Sequence, residues 1–523
     1  MNPKVSWAIG LLVYSAAALA PEALAAPPHV SCASLAMLTL PDTTITSAQE
    51  VTDGSLKPRG SNDLTGLPPF CRVAAVTKPA VKFEVWLPLS NWNGKFQGVG
   101  NGANAGSISY AAMATALKRG YATASTDTGH ETENARDGRW ALGHPELVED
   151  FGYRSIHVTA ENAKKLVQQF YAEPASHSYF VACSTGGRQA LMEAQRFPED
   201  YDGIIAGAPA ANWSHFQTGG HMWVASALNK DPESYIPATK LKRLGDAVNA
   251  ACDQLDGIAD GIIGDPRKCS FEPKTLQCSI GKDDATCLTP KQVKAVNDIW
   301  AGSRTSRGEV IYPPYMRGAE AAAGGWNTYM SGSGPLTGSH LDQASNVLKY
   351  IVFEKPDWDF RTFDAERDAA FAEKKLGKIF DAFDPDLTRF RDRGGRLILY
   401  HGWNDPSISP LNTINYYESV VASLKKRGGT QDAEARAQEF VRLFMVPGML
   451  HCGGGPGPNT FDMVSALEKW VEQTTPPDRI VATHSANGTV DRTRPLCVYP
   501  KVASHTGSGS TDDAANFVCK SPN

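Results

Sequence analysis

Beyond its first few dozen residues, the 523-residue chain carries no run of about 20 apolar residues, so no later segment reads as a membrane-spanning helix. It also lacks a basic stripe. A net charge of -5 and a pI near 6.2 exclude the electrostatic footprint of a nucleic-acid binder. No internal repeat and no long low-complexity segment occurs, which excludes solenoids and arrays. Cys-x-x-Cys pairs and Cys/His clusters of zinc spacing are missing, so the ten cysteines are not arranged as metal ligands.

What is present first is an export signature. Lys4, the apolar run Trp7 to Ala20 and the small-residue pattern Ala23-Leu24-Ala25 read as a secretory signal peptide over 1–25, with the mature chain starting near Ala26. The run is too short for an anchor, the competing reading. A secreted or periplasmic location follows, and in such a compartment an even number of cysteines reads as disulfides. Close neighbours offer loops: Cys252 with Cys269, Cys278 with Cys287, and Cys497 with Cys519. Spacing alone leaves Cys32, Cys71, Cys183 and Cys452 unassigned.

At this length a large core with an insertion or a second domain is expected. Val30 to about Lys78 reads as a loop-rich start. Strand-like runs then alternate with helical ones: Phe83 to Pro88, Lys95 to Val99, Ala111 to Arg119 (helix), Tyr121 to Thr126, a long helix within Glu146 to Tyr171, Tyr179 to Ala182, and Gly203 to Pro209. That alternation predicts a parallel sheet with right-handed crossovers. It breaks over 212–391, read as an inserted lid domain, and resumes with Arg396 to Tyr400, a helix around Thr413 to Lys426, and Val441 to Val446. The core thus divides into 26–211 and 392–523, the latter ending in a helix over Phe461 to Thr474 and a polar tail. Within the lid, Tyr312, Tyr315, Trp326, Tyr329 and Trp358 could line an aromatic pocket, although core filling is the favoured reading for any one of them.

The chemistry centres on Ser178 to Arg188. A strand ends in Cys183-Ser184-Thr185-Gly186-Gly187 and a helical segment begins, the setting that holds a serine out of a sheet as a nucleophile. The Gly-x-Ser-x-Gly pattern is imperfect, because Ala182 replaces its first glycine. A serine needs an imidazole to take its proton and a carboxylate to orient that imidazole. Both expected partners follow in the order usual for α/β-hydrolases, on loops after resumed strands: Asp405 after Tyr400, and His451 after Val446. His401 is the rival base, but a structural hydrogen-bonding role is favoured for it, as for Asp127, His130 and Asp386. Cys183 precedes the serine and Cys452 follows the histidine, so a triad would bring these sulfurs together as a disulfide clamp; the competing reading makes Cys183 a thiol nucleophile. The Thr185 N–H is one expected oxyanion donor. The second is expected from the glycine-rich loop after Val99, with Gly102 preferred over Asn101 and Ala103.

A further constellation is Cys252-Asp253-Gln254-Leu255-Asp256-Gly257-Ile258-Ala259-Asp260-Gly261-Ile262. Three carboxylates in one glycine-turned loop repel each other unless a hard cation neutralises them, and oxygen-only ligation suits calcium. Asp253, Asp256 and Asp260 would supply side chains, with Ile258 and Ile262 supplying carbonyls. The loop is similar to an EF-hand loop but has Gly264 where the closing glutamate would stand. Its role is read as structural.

Together, Cys183 to Arg188, Ala124 to His130, the Asp253 to Ile262 loop, Pro356-Asp357-Trp358-Asp359, Tyr400 to Pro406 and His451-Cys452 resemble the tannase and feruloyl esterase family, over nearly the whole mature chain. The resemblance implies an α/β-hydrolase core with a lid, the Ser184, Asp405, His451 triad, the Cys183 to Cys452 bridge and a lid calcium. It also suggests Cys32 with Cys71, completing five disulfides. Family substrates are esters of hydroxycinnamic or gallic acids, and one relative cleaves mono(2-hydroxyethyl) terephthalate. Gly332 to Leu348 contains no arginine to pair with a terephthalate carboxylate. The expectation is therefore a secreted, calcium-stabilised serine esterase of phenolic, chiefly feruloyl, esters. Galloyl and terephthalate monoesters are the alternatives, and the rival from another class is a calcium-dependent binding protein for phenolics or polysaccharide.

Overall fold

A computed structural model describes Met1 and residues 30–58, 61–428 and 432–522; the expected signal peptide lies, apart from Met1, outside the described residues. Among them, nine strands build one sheet: β1 (Thr43–Val51), β2 (Phe70–Thr77), β3 (Val81–Pro88), β4 (Lys95–Val99), β5 (Ala122–Thr126), β6 (His177–Cys183), β7 (Gly203–Gly207), β8 (Arg396–Gly402) and β9 (Val441–Val446). Their spatial order is β1-β2-β3-β5-β4-β6-β7-β8-β9. The six strands from β5 to β9 in that order are parallel, as the alternation of elements predicts. Short, wholly buried strands such as Gly203–Gly207 follow from this, since helices cover both faces of a parallel sheet.

The first three strands correct the sequence reading in two ways. The sheet is mixed, with β1, β2 and β3 antiparallel to one another and β3 antiparallel to β5. A three-residue connection between β2 and β3 permits only antiparallel pairing, because a parallel return needs a crossover of a dozen residues or more. The start, loop-rich as expected over most of its length, also contributes two strands of the sheet, Thr43–Val51 and Phe70–Thr77. In β2, Val73, Ala75 and Thr77 are buried while Arg72, Ala74 and Val76 are only partly so, a period of two obscured in the sequence by small and polar residues.

The helices that flank the site are α1 (Tyr110–Lys118), α2 (Ser155–Tyr171), α3 (Thr185–Arg196), α4 (Pro410–Gly428) and α5 (Met463–Gln473). The long helix expected within Glu146 to Tyr171 is α2, preceded by a π-helical turn at Asp150–Arg154. After β7 the chain leaves the sheet and returns only at Arg396. The intervening stretch is mainly helical and packs a second apolar core that includes Trp213, Tyr312, Trp326, Val347 and Phe380. The tail is more ordered than its polarity suggests. It folds into a hairpin, Arg479–Ala486 with Thr489–Cys497, and a ribbon, Val502–His505 with Phe517–Lys520.

Five disulfides link Cys32 to Cys71, Cys183 to Cys452, Cys252 to Cys269, Cys278 to Cys287 and Cys497 to Cys519. No free cysteine remains among the described residues, which removes the thiol-nucleophile alternative for Cys183. No described helix is long and apolar enough to cross a membrane.

Candidate active site

Strand β6 delivers Ser184 onto a sharp corner where its backbone adopts φ 68° and ψ -127°, a region costly to a residue with a Cβ, by about 1–3 kcal/mol. The corner is held by bonds from Ser184 N–H to the Gly207 carbonyl (2.9 Å) and from Gly186 N–H to the Asn101 carbonyl (2.7 Å). A side chain on Gly187 would meet the Gly207 carbonyl at 2.3 Å, and one on Gly186 the Asn101 carbonyl at 2.9 Å. The departure at Ala182 has a physical explanation: its methyl fills space that Gly100 and Gly186 leave open, 2.7 Å from where either would carry a Cβ. The close approach is made possible by Gly100, just past the neighbouring strand β4.

The three residues expected from chain order meet. His451 Nε2 lies 2.9 Å from Ser184 Oγ, and His451 Nδ1 lies 2.7 Å from Asp405 Oδ2. With Nδ1–H donating to the carboxylate, Nε2 is left to accept the serine proton. Asp405 is buried and accepts at its other oxygen from the backbone N–H groups of Ser407 (2.7 Å) and Ile408 (2.9 Å). Burial works against its charge, but the neighbouring His451 and His401 more than compensate and hold the carboxyl well below its usual range.

The rival base occupies a supporting position. His401 is fully buried, and its Nε2 faces two acceptors, Asp405 Oδ2 and the Ile408 carbonyl, each at 3.1 Å, so this nitrogen carries the proton. Its Nδ1 pairs with the Thr413 hydroxyl of α4 at 2.7 Å. The other rivals are structural. Asp127 accepts from Lys82 and Gly129 N–H, His130 bonds the Asn104 carbonyl and stacks on Trp140, and Asp386 pairs with Arg427.

The loop after β4 separates the oxyanion candidates. Asn101 N–H is used by the Gln189 side chain at 3.0 Å, and its amide staples the loop to the Ser107 and Thr126 carbonyls. Asn101 is therefore not a donor. The N–H groups of Gly102 and of Thr185, at the start of α3, find no acceptor among the described residues, and space around Gly102 is open. The Cys183–Cys452 bond, with Cα atoms 6.0 Å apart, sits beside this constellation and joins the loops after β6 and β9.

Several contributors escaped sequence reasoning. Arg188, fully buried on α3, donates to the Phe151 and Gly152 carbonyls of the π-turn and to the Phe380 carbonyl, fastening the nucleophile helix to its neighbours. Burial without a carboxylate partner pulls its guanidinium down to about 9. Of the five aromatics the sequence offered for a pocket, Tyr329 does stand edge-on to His451, with ring centres 5.8 Å apart, whereas Tyr312, Tyr315 and Trp326 are buried core. His221 and His340, both buried, stack behind Asp405, where His221 Nε2 bonds the Ser407 carbonyl at 3.1 Å. No spacing in the sequence signals these contacts, because each joins remote segments.

The acidic loop is arranged differently. Asp253 Oδ1 accepts from the Asp260, Gly261 and Ile262 N–H groups, while Asp260 Oδ2 pairs with Arg494 at 2.5 Å. Among the described residues, no three acidic or histidine side chains converge as a metal cluster. The donor set nevertheless fits a hard cation. The Ile258 and Ile262 carbonyls take no donor among the described residues, and the Asp256 carboxyl is pushed up to about 6. Desolvation is the main cause, although much of the residue's surface stays open; Asp260 and Asp253 add to it, while the Ile258 N–H and Arg494 oppose it. Gly264 stands in place of the EF-hand glutamate for a steric reason: a Cβ there would lie 2.4 Å from Asp256 Oδ2.

A mixed sheet whose parallel part ends in a strained serine corner, with Asp and His following in that order, defines the α/β-hydrolase class. The family described as tannase and feruloyl esterase matches residues 64–520, and the chain belongs to it. The chain is 40% identical to an uncharacterized esterase of Xanthomonas campestris pv. campestris, over 98% of this chain and 93% of that protein. It is 35% identical to the mono(2-hydroxyethyl) terephthalate hydrolase of Piscinibacter sakaiensis, over 87% and 85% of the two chains. The crystal structure of feruloyl esterase B from Aspergillus oryzae superposes with a TM-score of 0.86 at 30% identity, covering 94% of this chain and 99% of that one. This protein is thus a carboxylic ester hydrolase, which displaces the binding-protein alternative.

Proposed function

We propose that this ester hydrolase works through an acyl-enzyme on Ser184 and takes phenolic esters, feruloyl and related hydroxycinnamoyl esters foremost. The observation that carries the mechanism is the unbroken relay from Ser184 Oγ through His451 to Asp405. Ser184 attacks the acyl carbon while His451 Nε2 takes its proton and passes it to the leaving alcohol. Asp405 orients the imidazole and stabilises its charge; water then enters by the same relay and releases the acid. The Thr185 and Gly102 N–H groups receive the oxyanion, a contribution on the order of 10²–10³ in kcat per donor.

Feruloyl esterase B proteins among the relatives support the acyl group. Terephthalate monoesters are a second reading, supported by the Piscinibacter relative, and galloyl esters a third, supported by the family's name. Residues 212–391 act as a lid over the serine, a role supported by Tyr329 against His451. Calcium held by Asp253, Asp256 and Asp260 with the Ile258 and Ile262 carbonyls would supply positive charge that stiffens this lid, with no part in the chemistry. Export is supported by the leader pattern and five disulfides, which need an oxidising compartment.

The test is a side-by-side assay of methyl ferulate, methyl gallate and a terephthalate monoester with wild type and Ser184→Ala. The wild type should turn over methyl ferulate with the highest kcat/KM. Ser184→Ala should lose at least about 10⁴-fold on all three while melting at the same temperature. Retained hydrolysis by the folded variant would reject the mechanism, and preference for another ester would reassign the substrate.

A further inference from the structure

We infer that His221 and Tyr315, both from the segment between β7 and β8, are positioning residues for Asp405 that act through the Ser407–Ile408 peptide. This rests on the serine esterase reading and deepens it, because the inserted segment then supplies part of the triad's support.

Two different parts of the molecule grip the Asp405 carboxylate. Its Oδ2 faces His451 Nδ1 at 2.7 Å and His401 Nε2 at 3.1 Å, from the loop after β9 and from β8, so the sheet secures this oxygen. Its Oδ1 depends on two backbone N–H groups, those of Ser407 and Ile408. The Ile408 N–H and the Ser407 carbonyl are the two ends of one amide, and a peptide unit turns as a single plane. That carbonyl accepts from the Tyr315 hydroxyl at 2.9 Å and from His221 Nε2 at 3.1 Å. Two donors at the carbonyl end fix the plane and thereby aim its N–H at the carboxylate. They also polarise the amide, which strengthens the bond that its N–H makes.

The state of His221 suits this use. A carbonyl only accepts, so His221 Nε2 carries the proton, and Nδ1 has no partner among the described residues. Burial above all pulls the imidazole down to about 3, which keeps it a neutral donor at neutral pH. A second cation here would compete with the His451 imidazolium for Asp405. His221 lies in a π-helical stretch, Phe216–Met222, whose residues are all buried, and it stacks on His340 with ring centres 3.9 Å apart. Such helices are rare and recur at functional sites. Gly220, beside it, leaves room for the tyrosines: a Cβ there would lie 3.3 Å from the Tyr315 hydroxyl and 3.0 Å from the Tyr312 ring. The same segment ties down the next residue as well, with Ser409 N–H donating to the Tyr312 hydroxyl at 3.3 Å and Ser409 Oγ to the Pro314 carbonyl at 2.6 Å. The alternative is that His221 and Tyr315 only fill the core of the insertion. Their loss would then lower stability and leave turnover by the folded protein unchanged.

The experiment measures kcat/KM for methyl ferulate and for 4-nitrophenyl acetate, whose acyl group is too small to need an acyl pocket. It uses wild type, Tyr315→Phe, His221→Leu, His221→Gln and Ser184→Ala, each checked by its melting curve. Tyr315→Phe deletes one oxygen and keeps the ring. It and His221→Leu should each lose about threefold to tenfold, by the same factor on both esters. His221→Gln, which returns an N–H to the place of Nε2, should recover most of the loss. Folded variants with wild-type turnover would overturn the proposal in favour of core filling. Loss on methyl ferulate alone would overturn it too, since both side chains would then act on the acyl group and not on Asp405. Ser184→Ala with undiminished activity would instead bring down the serine mechanism itself, and this proposal with it.

Discussion

The triad and the acidic loop both concentrate carboxylate charge, and the protein treats them in opposite ways. Asp405 is enclosed, receives four donors from the protein and sits well below its usual titration range. Asp256, in a loop with two further carboxylates, receives one backbone N–H and titrates near 6. Charge balanced internally is preorganised and ready for chemistry; charge left partly unbalanced calls for a partner from outside. The first arrangement suits the proposed reaction, the second the proposed ion.

The largest way to break the contrast is at the triad's clamp. Replacing both Cys183 and Cys452 by serine should cut kcat/KM about 10–100-fold and lower the melting temperature, because a long-range cross-link is worth ~3–5 kcal/mol in the chain-entropy picture. Unchanged kinetics in the double variant would show that the sheet alone sets the Ser184 to His451 distance. A middle-sized effect is expected at the acidic loop. Chelation should reduce the melting temperature by ~3–8 °C with little change in kcat, whereas Asp256→Asn should make the protein insensitive to chelator. An identical melting curve with and without chelator would leave the loop as a solvated turn.

The smallest effect sharpens the comparison with a third carboxylate. Asp127, 3% exposed, has backbone donors on one oxygen only, and burial lifts its carboxyl to about 8 from an ordinary 3.8 despite the Gly129 and Lys82 N–H groups. Its folded value is raised, so its contribution is complete below about pH 4 and lost as pH rises through 8. Asp127→Asn keeps the acceptor and removes the charge. It should melt ~2–4 °C above wild type near pH 9, with the gap closing near pH 4 in parallel thermal scans. A gap that is independent of pH would mean that Asp127 is ionised in the folded protein throughout.

The Ser184, His451 and Asp405 constellation was legible because each member lies just past a strand in a fixed order, and the paired cysteines marked the same junction twice. Asp405 and His451 could be named before any coordinates. The antiparallel edge was not legible: Thr43–Val51 and Phe70–Thr77 mix small, polar and β-branched residues, and their alternation shows only once one face is buried. Chain order favoured His451 over His401 and a structural role for the latter, but the acceptors that hold its Nε2 could not be named before the fold was known. The position of Tyr329 against His451 was not legible either, since only the insertion's folding brings residues so far apart in sequence together.

The bond between Cys183 and Cys452 also ties activity to chemistry outside the polypeptide. Opening that link in a thiol-rich compartment would leave the loops of Ser184 and His451 positioned by the sheet alone. Under the proposed mechanism, the redox setting in which the chain folds would then tune how fast it cleaves esters as well as how well it withstands heat.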